Sequence, residues 1–409
     1  MNLRLTPHKL TGTVSIPASK SMAHRAIICA ALAGGISYIS GMSFSKDIEA
    51  TLSVMTALGA HFSVSGDEIA VSGIITPSGT ATADCCESGS TLRFLIPVAA
   101  ALGTKTTFLG QGRLPQRPIT PYVRELSQKG VQFDYDNTMP FTISGKLESG
   151  TFTLEGDISS QFITGLLLAL PLLSGDSDIV LTSPLQSKPY ADMTIDCMAR
   201  FGVTVTETEN GYHIPGNQYY QAEDVKVEGD FSQAAFFYAA NAIGNDVSLE
   251  NIPEKSVQGD RKIVEILRKM WYNKNNEIFY IDATDIPDLV PILSVAASLA
   301  PCVTRITGAE RLRIKESDRL ETTAALLNTL GGNVRVHPDG LEIHPVSTFH
   351  GGTINSAGDH RIAMCAAVAA TRADGPVTIC GAECVEKSYP AFFKDYHTLG
   401  GVADGIHLE

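Results

Sequence analysis

The chain has 409 residues, a formal net charge of -13, 18% charged residues and 44% hydrophobic ones. That length predicts two or three domains with substantial cores, and the composition excludes a long disordered chain. The acidic balance excludes a nucleic-acid partner, which asks for a basic face. The longest apolar run, 166–173, is far short of the ~20 residues that span a bilayer, so no membrane partner is expected.

In chain order, Met1-Asn2-Leu3-Arg4-Leu5 reads as a strand rather than a signal peptide. Two landmarks then recur. One is an apolar helix with a polar start, near Ser19, Ser88, Ser159, Asp230, Pro287 and Asp359. Ser and Asp suit an N-cap, and Pro suits a first helical turn. The runs behind these starts (26–34, 94–102, 162–173, 234–243, 289–299 and 362–370) carry almost no charge. A helix that is apolar on all sides is buried.

The other landmark is a surface helix closed by glycine. It appears at Leu58-Gly59-Ala60, Lys129-Gly130-Val131, Phe201-Gly202-Val203, Leu330-Gly331-Gly332 and Leu399-Gly400-Gly401. The glycine is the left-handed residue that ends a helix. Two short strands are expected after each, as in Val203-Thr204-Val205-Thr206-Glu207 with the turn Glu209-Asn210-Gly211. A sixth copy, without its glycine, is expected near Met270-Trp271-Tyr272.

The chain is thus a repeat of about 70 residues. Three copies build a domain with helices inside and sheets outside, and six build two. If the buried helices run parallel, their positive N-termini gather into an anion site. Any one start alone is a helix cap. Lys, Arg, Gln or Asp at most of them is more than capping requires.

The cations of this acidic chain sit in short motifs at or beside those starts. Such clusters focus potential on small, highly charged ligands. Lys20, in Ser19-Lys20-Ser21, follows an N-cap, with Arg25 about one turn on, a geometry that cradles phosphate or carboxylate. Gly89, in Ser88-Gly89-Ser90-Thr91-Leu92-Arg93, lets backbone approach a ligand. Arg117 precedes Pro118 and so projects from an extended loop. Ser159-Ser160-Gln161 puts three hydrogen-bonding side chains at a helix head, and Ser187-Lys188-Pro189-Tyr190 leads a loop into a helix. In Lys315-Glu316-Ser317-Asp318-Arg319 the two cations are four apart, which on a helix is one face. Asp288 heads a buried helix, where an anion needs a partner; a base near a lysine meets both needs. Asp359-His360-Arg361 and Glu386-Lys387-Ser388 complete the set. There is no Walker lysine, no dinucleotide fingerprint and no His/Cys metal set, so cofactor-free chemistry is implied. The eight cysteines follow no metal or disulfide spacing, which fits a reducing cytoplasm. Cys29 and Cys365 read as core residues.

These motifs, in this order and over essentially the whole chain, resemble the 5-enolpyruvylshikimate-3-phosphate synthase family. The resemblance implies a two-domain inside-out α/β barrel with three strand-and-helix repeats per domain, parallel buried helices and sheets outside. It implies a discontinuous domain of residues 1–18 and 229–409, an inserted domain of 19–228, and hinges near Ala18 and Glu228. It implies transfer of the enolpyruvyl group of phosphoenolpyruvate to the 5-hydroxyl of shikimate 3-phosphate, with domain closure and release of phosphate. By position, Lys20, Ser21, Arg25, Ser159, Ser160, Gln161, Ser187, Asp288 and Lys315 correspond to the shikimate 3-phosphate set. Lys20, Gly89, Arg117, Gln161, Arg319, Arg361 and Lys387 correspond to the phosphoenolpyruvate set. Asp288, Glu316 and Lys20 are the expected proton carriers. The family is inhibited by glyphosate, which competes with phosphoenolpyruvate, and a monomer is expected. The chain departs from the family's common pattern at Glu87 and Phe94, which flank the expected phosphoenolpyruvate site. UDP-N-acetylglucosamine enolpyruvyl transferase resembles it less: the segment 110–118 lacks that family's mobile-loop cysteine, and the start reads Lys20-Ser21 rather than Lys-Asn. A non-catalytic anion-binding relative is expected to have lost some of Lys20, Asp288 and Glu316, and all three are present.

Overall fold

A computed structural model describes residues 1–273 and 277–405. The chain divides into two compact units, Ala18–Glu228 and Met1–Pro17 with Gly229–Glu409. Ala18 falls in the inserted unit, one residue from the expected boundary, because its N–H donates to Ser43 Oγ there.

In Ala18–Glu228 the helices are α1 (Lys20–Leu32), α2 (Lys46–Leu58), α3 (Gly89–Leu102), α4 (Thr120–Ser127), α5 (Ser160–Ala169) and α6 (Lys188–Arg200). In the other unit they are α7 (Phe231–Ala242), α8 (Lys262–Tyr272), α9 (Val290–Ser298), α10 (Arg319–Thr329), α11 (His360–Ala370) and α12 (Phe392–Thr398). Ser19, Ser88, Ser159, Asp230 and Asp359 each accept a hydrogen bond from a first-turn N–H of the helix they open. Such a cap contributes about 1 kcal/mol. Pro287 instead opens a 3-10 turn, Pro287–Leu289, and α9 begins only at Val290.

The helices behind these starts are the cores. In α1 every residue from Met22 to Ala31 is buried, and α11 is buried along its whole length. Each unit has its own continuous apolar cluster. Strands such as Asn2–Thr6, Glu68–Ser72 and Lys105–Leu109 alternate buried residues with more exposed ones, so their sheets lay one face on the helices and turn the other outward. The result is an α/β fold turned inside out.

The repeat is explicit in the pairing. Strand Thr80–Asp84 runs parallel to Lys105–Leu109, which is antiparallel to Phe141–Gly145, which pairs with Val131–Asp134. Among the described residues five four-stranded sheets share this order. One of them borrows Asn2–Thr6 and Val402–Asp404 from opposite ends of the chain. Among the described residues the sixth repeat has two parallel strands, Thr11–Ser15 and Asp246–Glu250.

The glycine landmarks end helices as expected. Gly59 takes φ 119° and its N–H bonds back to Met55 and Thr56; Gly130, Gly202, Gly331 and Gly400 also have positive φ. The drifted copy differs. After α8, Asn273 has φ -75° and no hairpin follows among the described residues. The next strand, Phe279–Asp282, already belongs to the following sheet. The strand expected from Val203 starts only at Thr206, since Val203 is still tied by its N–H to Met198 at the end of α6.

Candidate active site

In Ala18–Glu228 the expected residues gather at the heads of α1, α3, α5 and α6. Lys20 is the first residue of α1, and its Nζ lies 2.7 Å from Asp47 in the first turn of α2. Arg25 is 2% exposed. Its Nε donates to Thr194 Oγ1 at 2.8 Å, Nη1 to the Ser21 carbonyl at 2.6 Å, and Nη2 to the Tyr190 carbonyl at 2.8 Å and Thr164 Oγ1 at 3.4 Å. Every one of these acceptors is neutral. Burial lowers its pKa to about 10, which still leaves it charged at neutral pH. A buried cation with only neutral acceptors is incompletely compensated and suits an anionic ligand. Phe94, the departure noted beside Arg93, lies under this guanidinium at 5.2 Å from ring centroid to Cζ.

Gly89 opens α3. A Cβ built there would stand 2.4 Å from Arg117 Nη1, so the absence of a side chain lets that guanidinium lie on the helix end. Arg117 has extended backbone, φ -78° and ψ 127°, as the proline after it requires. Glu87 carries its carboxylate onto Gly112, in the same loop as Arg117. Arg93 donates to Gln161 Oε1 at 2.9 Å, and Gln161 Nε2 donates to Ser90 Oγ at 3.1 Å, which ties the heads of α3 and α5 together. Ser159 spends its hydroxyl on capping α5, and Ser160 is buried beside it. Ser187, at the N-cap position of α6, is held in left-handed backbone at φ 58°.

In the other unit the expected residues form a cluster of arginines and carboxylates. Arg319, 2% exposed, touches three carboxylates. Its Nε donates to Asp359 at 2.8 Å, Nη1 to Asp288 Oδ1 at 2.9 Å and Nη2 to Glu316 at 2.7 Å. Arg361 holds the second oxygen of Asp288 at 2.8 Å and its carbonyl at 3.1 Å. Burial pushes the Asp288 carboxyl up, but Arg361, Arg319 and Lys315 together outweigh it and hold the group well below the usual carboxylate range. Asp359 caps α11 and is fully buried. Burial raises it too, and Arg319 more than offsets that.

One expectation needs correction here. Lys315 and Arg319 do not share a helix face. Lys315 is extended, because Asp318 caps α10 and the helix starts at Arg319. The lysine expected near Asp288 is there, since the charge of Lys315 lowers its carboxyl, and Arg319 and Arg361 hydrogen-bond it as well. Lys387 reaches the Gly358 carbonyl at 3.0 Å, just before the cap of α11. Sequence reasoning missed Asp47 as the partner of Lys20, and Thr164 and Thr194 as holders of Arg25; no motif marks them. Among the described residues no group of three or more His, Cys, Asp or Glu is placed to hold a metal.

The chain was compared with known proteins. The family model for EPSP synthase (3-phosphoshikimate 1-carboxyvinyltransferase) matches residues 5–396. The 3-phosphoshikimate 1-carboxyvinyltransferase of Clostridioides difficile (strain 630) is 44% identical over 98% of each chain. That of Clostridium perfringens (strain ATCC 13124) is 44% identical over 98% of this chain and 99% of its own. A solved EPSP synthase from Acinetobacter baumannii superposes with a TM-score of 0.82 at 27% identity, covering 98% of this chain and 99% of that one.

Proposed function

We propose that this chain, which belongs to the EPSP synthase family of 3-phosphoshikimate 1-carboxyvinyltransferases, binds its acceptor around Arg25 and carries out its acid–base chemistry around Asp288. The reaction moves the enolpyruvyl group of phosphoenolpyruvate to the 5-hydroxyl of shikimate 3-phosphate and releases phosphate. Arg25, Lys20, Ser21 and the serines heading α5 and α6 take shikimate 3-phosphate, with Gln161, Asp288 and Lys315. Arg117 over Gly89, with Lys20, Gln161, Arg319, Arg361 and Lys387, takes phosphoenolpyruvate. Asp288 accepts the 5-hydroxyl proton as that oxygen attacks C2. Glu316, with Lys20, delivers a proton to C3. The resulting ketal phosphate then loses phosphate as the new methyl group gives up a proton, which restores the double bond.

One observation carries the chemistry: Asp288 is gripped by the same two arginines that the donor needs. A carboxylate so stabilised is a weak base. Donor anions compete for those guanidinia, and each hydrogen bond they draw away returns basicity to Asp288. The base is therefore switched on by the substrate with which it acts.

The direct test is phosphate release from purified protein with phosphoenolpyruvate and shikimate 3-phosphate, with UDP-N-acetylglucosamine as a parallel acceptor. Release that depends on shikimate 3-phosphate is the expected result. Release with the sugar nucleotide alone overturns the acceptor assignment.

Gly89→Ala tests the donor set. The backbone there is helical, and the atom a methyl group would strike is the far end of a flexible side chain. Stability is expected to hold, since Ala is the better helix former. Displacement of Arg117 is expected to raise the KM for phosphoenolpyruvate about tenfold, equivalent to one weakened ionic hydrogen bond. An unchanged KM would remove Arg117 from the donor set.

The reading is completed by a cytoplasmic monomer in which glyphosate competes with phosphoenolpyruvate. Its support is that no described helix is long and apolar enough to cross a membrane, and that all eight cysteines are free thiols.

A further inference from the structure

A second acidic side chain lies among these groups and has no part in the reaction described above. Asp260 sits in the 3-10 turn Gly259–Arg261, leading into α8, and is 4% exposed. Its Oδ2 accepts a hydrogen bond from the Ser232 hydroxyl in the first turn of α7. Its Oδ1 is buried with no hydrogen-bond partner. A buried carboxylate is tolerated when donors surround it, and a half-satisfied one is not.

The charges around it explain how the site tolerates it. Asp230 faces it from the head of α7, Asp288 from the turn before α9, and Arg361 from α11. On its own element Arg261 and Lys262 are exposed to solvent. Burial and repulsion from Asp288 push the Asp260 carboxyl up to about 7, against the Ser232 bond and Arg361, which favour the charged form. Asp288 is pushed the opposite way. Neighbouring carboxyls driven apart in this manner take different protonation states and different tasks.

We propose that Asp260 is a positioning residue for the donor: as a neutral acid it leaves Arg361 to phosphoenolpyruvate, and as a carboxylate it competes for Arg361 and repels the donor's charges. The inference rests on the reading that Arg361 holds phosphoenolpyruvate.

Below about pH 7 Asp260 is neutral. Above it the added negative charge raises the KM for phosphoenolpyruvate, by up to about tenfold per pH unit, while kcat at saturating donor changes little. Steady-state kinetics from pH 7 to 9 test this on the intact enzyme. Asp260→Asn keeps the neutral state at every pH, so its KM is expected to stay flat where the wild type rises. Ser232→Ala removes a bond that favours the carboxylate, so the rise is expected to move to higher pH. It also serves as the test if Asp260→Asn fails to fold. A KM profile in Asp260→Asn that rises as in the wild type overturns the proposal, as does an unmoved profile in Ser232→Ala. Arg361→Lys separates the two levels of inference. If it leaves the KM unchanged at all pH values, the donor reading of Arg361 fails and the proposal with it. If it raises the KM throughout while Asp260→Asn keeps the wild-type profile, only the Asp260 proposal fails.

Discussion

Replacing Arg319 by methionine is expected to cost about 3–5 kcal/mol of stability, the usual result of removing one partner from a buried ionic cluster. The volume is nearly conserved, so the loss is electrostatic. Asp359, Glu316 and Asp288 all lose a bond to this one guanidinium, and Asp359 is left fully buried. The pH dependence identifies the cause. In the wild type Asp359 and Asp288 titrate below their ordinary value. Their contribution to stability is therefore present above the ordinary carboxylate pKa and is lost only as pH falls through the lower folded values. In the variant, burial dominates and raises the Asp359 carboxyl above its ordinary value. The penalty is then full above that raised value and is relieved as pH falls, because protonation removes the stranded charge. Thermal unfolding of both proteins at pH 8 and pH 5 checks this: the gap in Tm should narrow at pH 5. An equal gap at both would assign the loss to packing.

Asp288→Asn is expected to lower kcat by about 10²–10⁴-fold, the range that general-base catalysis supplies. The KM for phosphoenolpyruvate is not expected to rise. On the proposed reading the donor displaces Asp288 from Arg319 and Arg361, to which it is paired, and a neutral amide competes less well for them. A fall in kcat with an unchanged or lower KM separates this residue from one that only binds substrate. Near-wild-type turnover would remove Asp288 as the base and leave Glu316 and Lys20 to account for both proton transfers.

What was legible in the sequence was local. An N-cap needs one polar side chain two or three residues before the N–H it accepts, so Ser19, Ser88, Ser159, Asp230 and Asp359 could be read from their own neighbourhoods. The glycine landmarks are local for the same reason, since a left-handed helix end has few other solutions. The resemblance then assigned roles to most site residues.

What was not legible depends on distant partners. Arg25 rests on Thr164 and Thr194, far along the chain and in no motif, and on the carbonyl of Tyr190, whose motif does not say that it meets Arg25. The spacing of Lys315 and Arg319 suggested one helix, yet Asp318 wins as the cap and breaks it between them. The two arginines on Asp288 come from α10 and α11, and nothing in either motif says that they meet. Asp260 is plainer still, since its environment is made by three other elements.

The borrowed strand pair has a consequence for how the protein is made. Asn2–Thr6 leaves the ribosome well before its partners Val377–Cys380 and Val402–Asp404. At typical synthesis rates of about 5–20 residues per second, that strand waits on the order of tens of seconds for an edge to join. Residues 18–228 are complete long before then and supply all the pairings of their own three sheets. The inserted unit is thus in a position to fold during translation, while the unit that encloses it in the chain can close only after Val402–Asp404 has emerged. A strand made before the inserted unit finds its place after it.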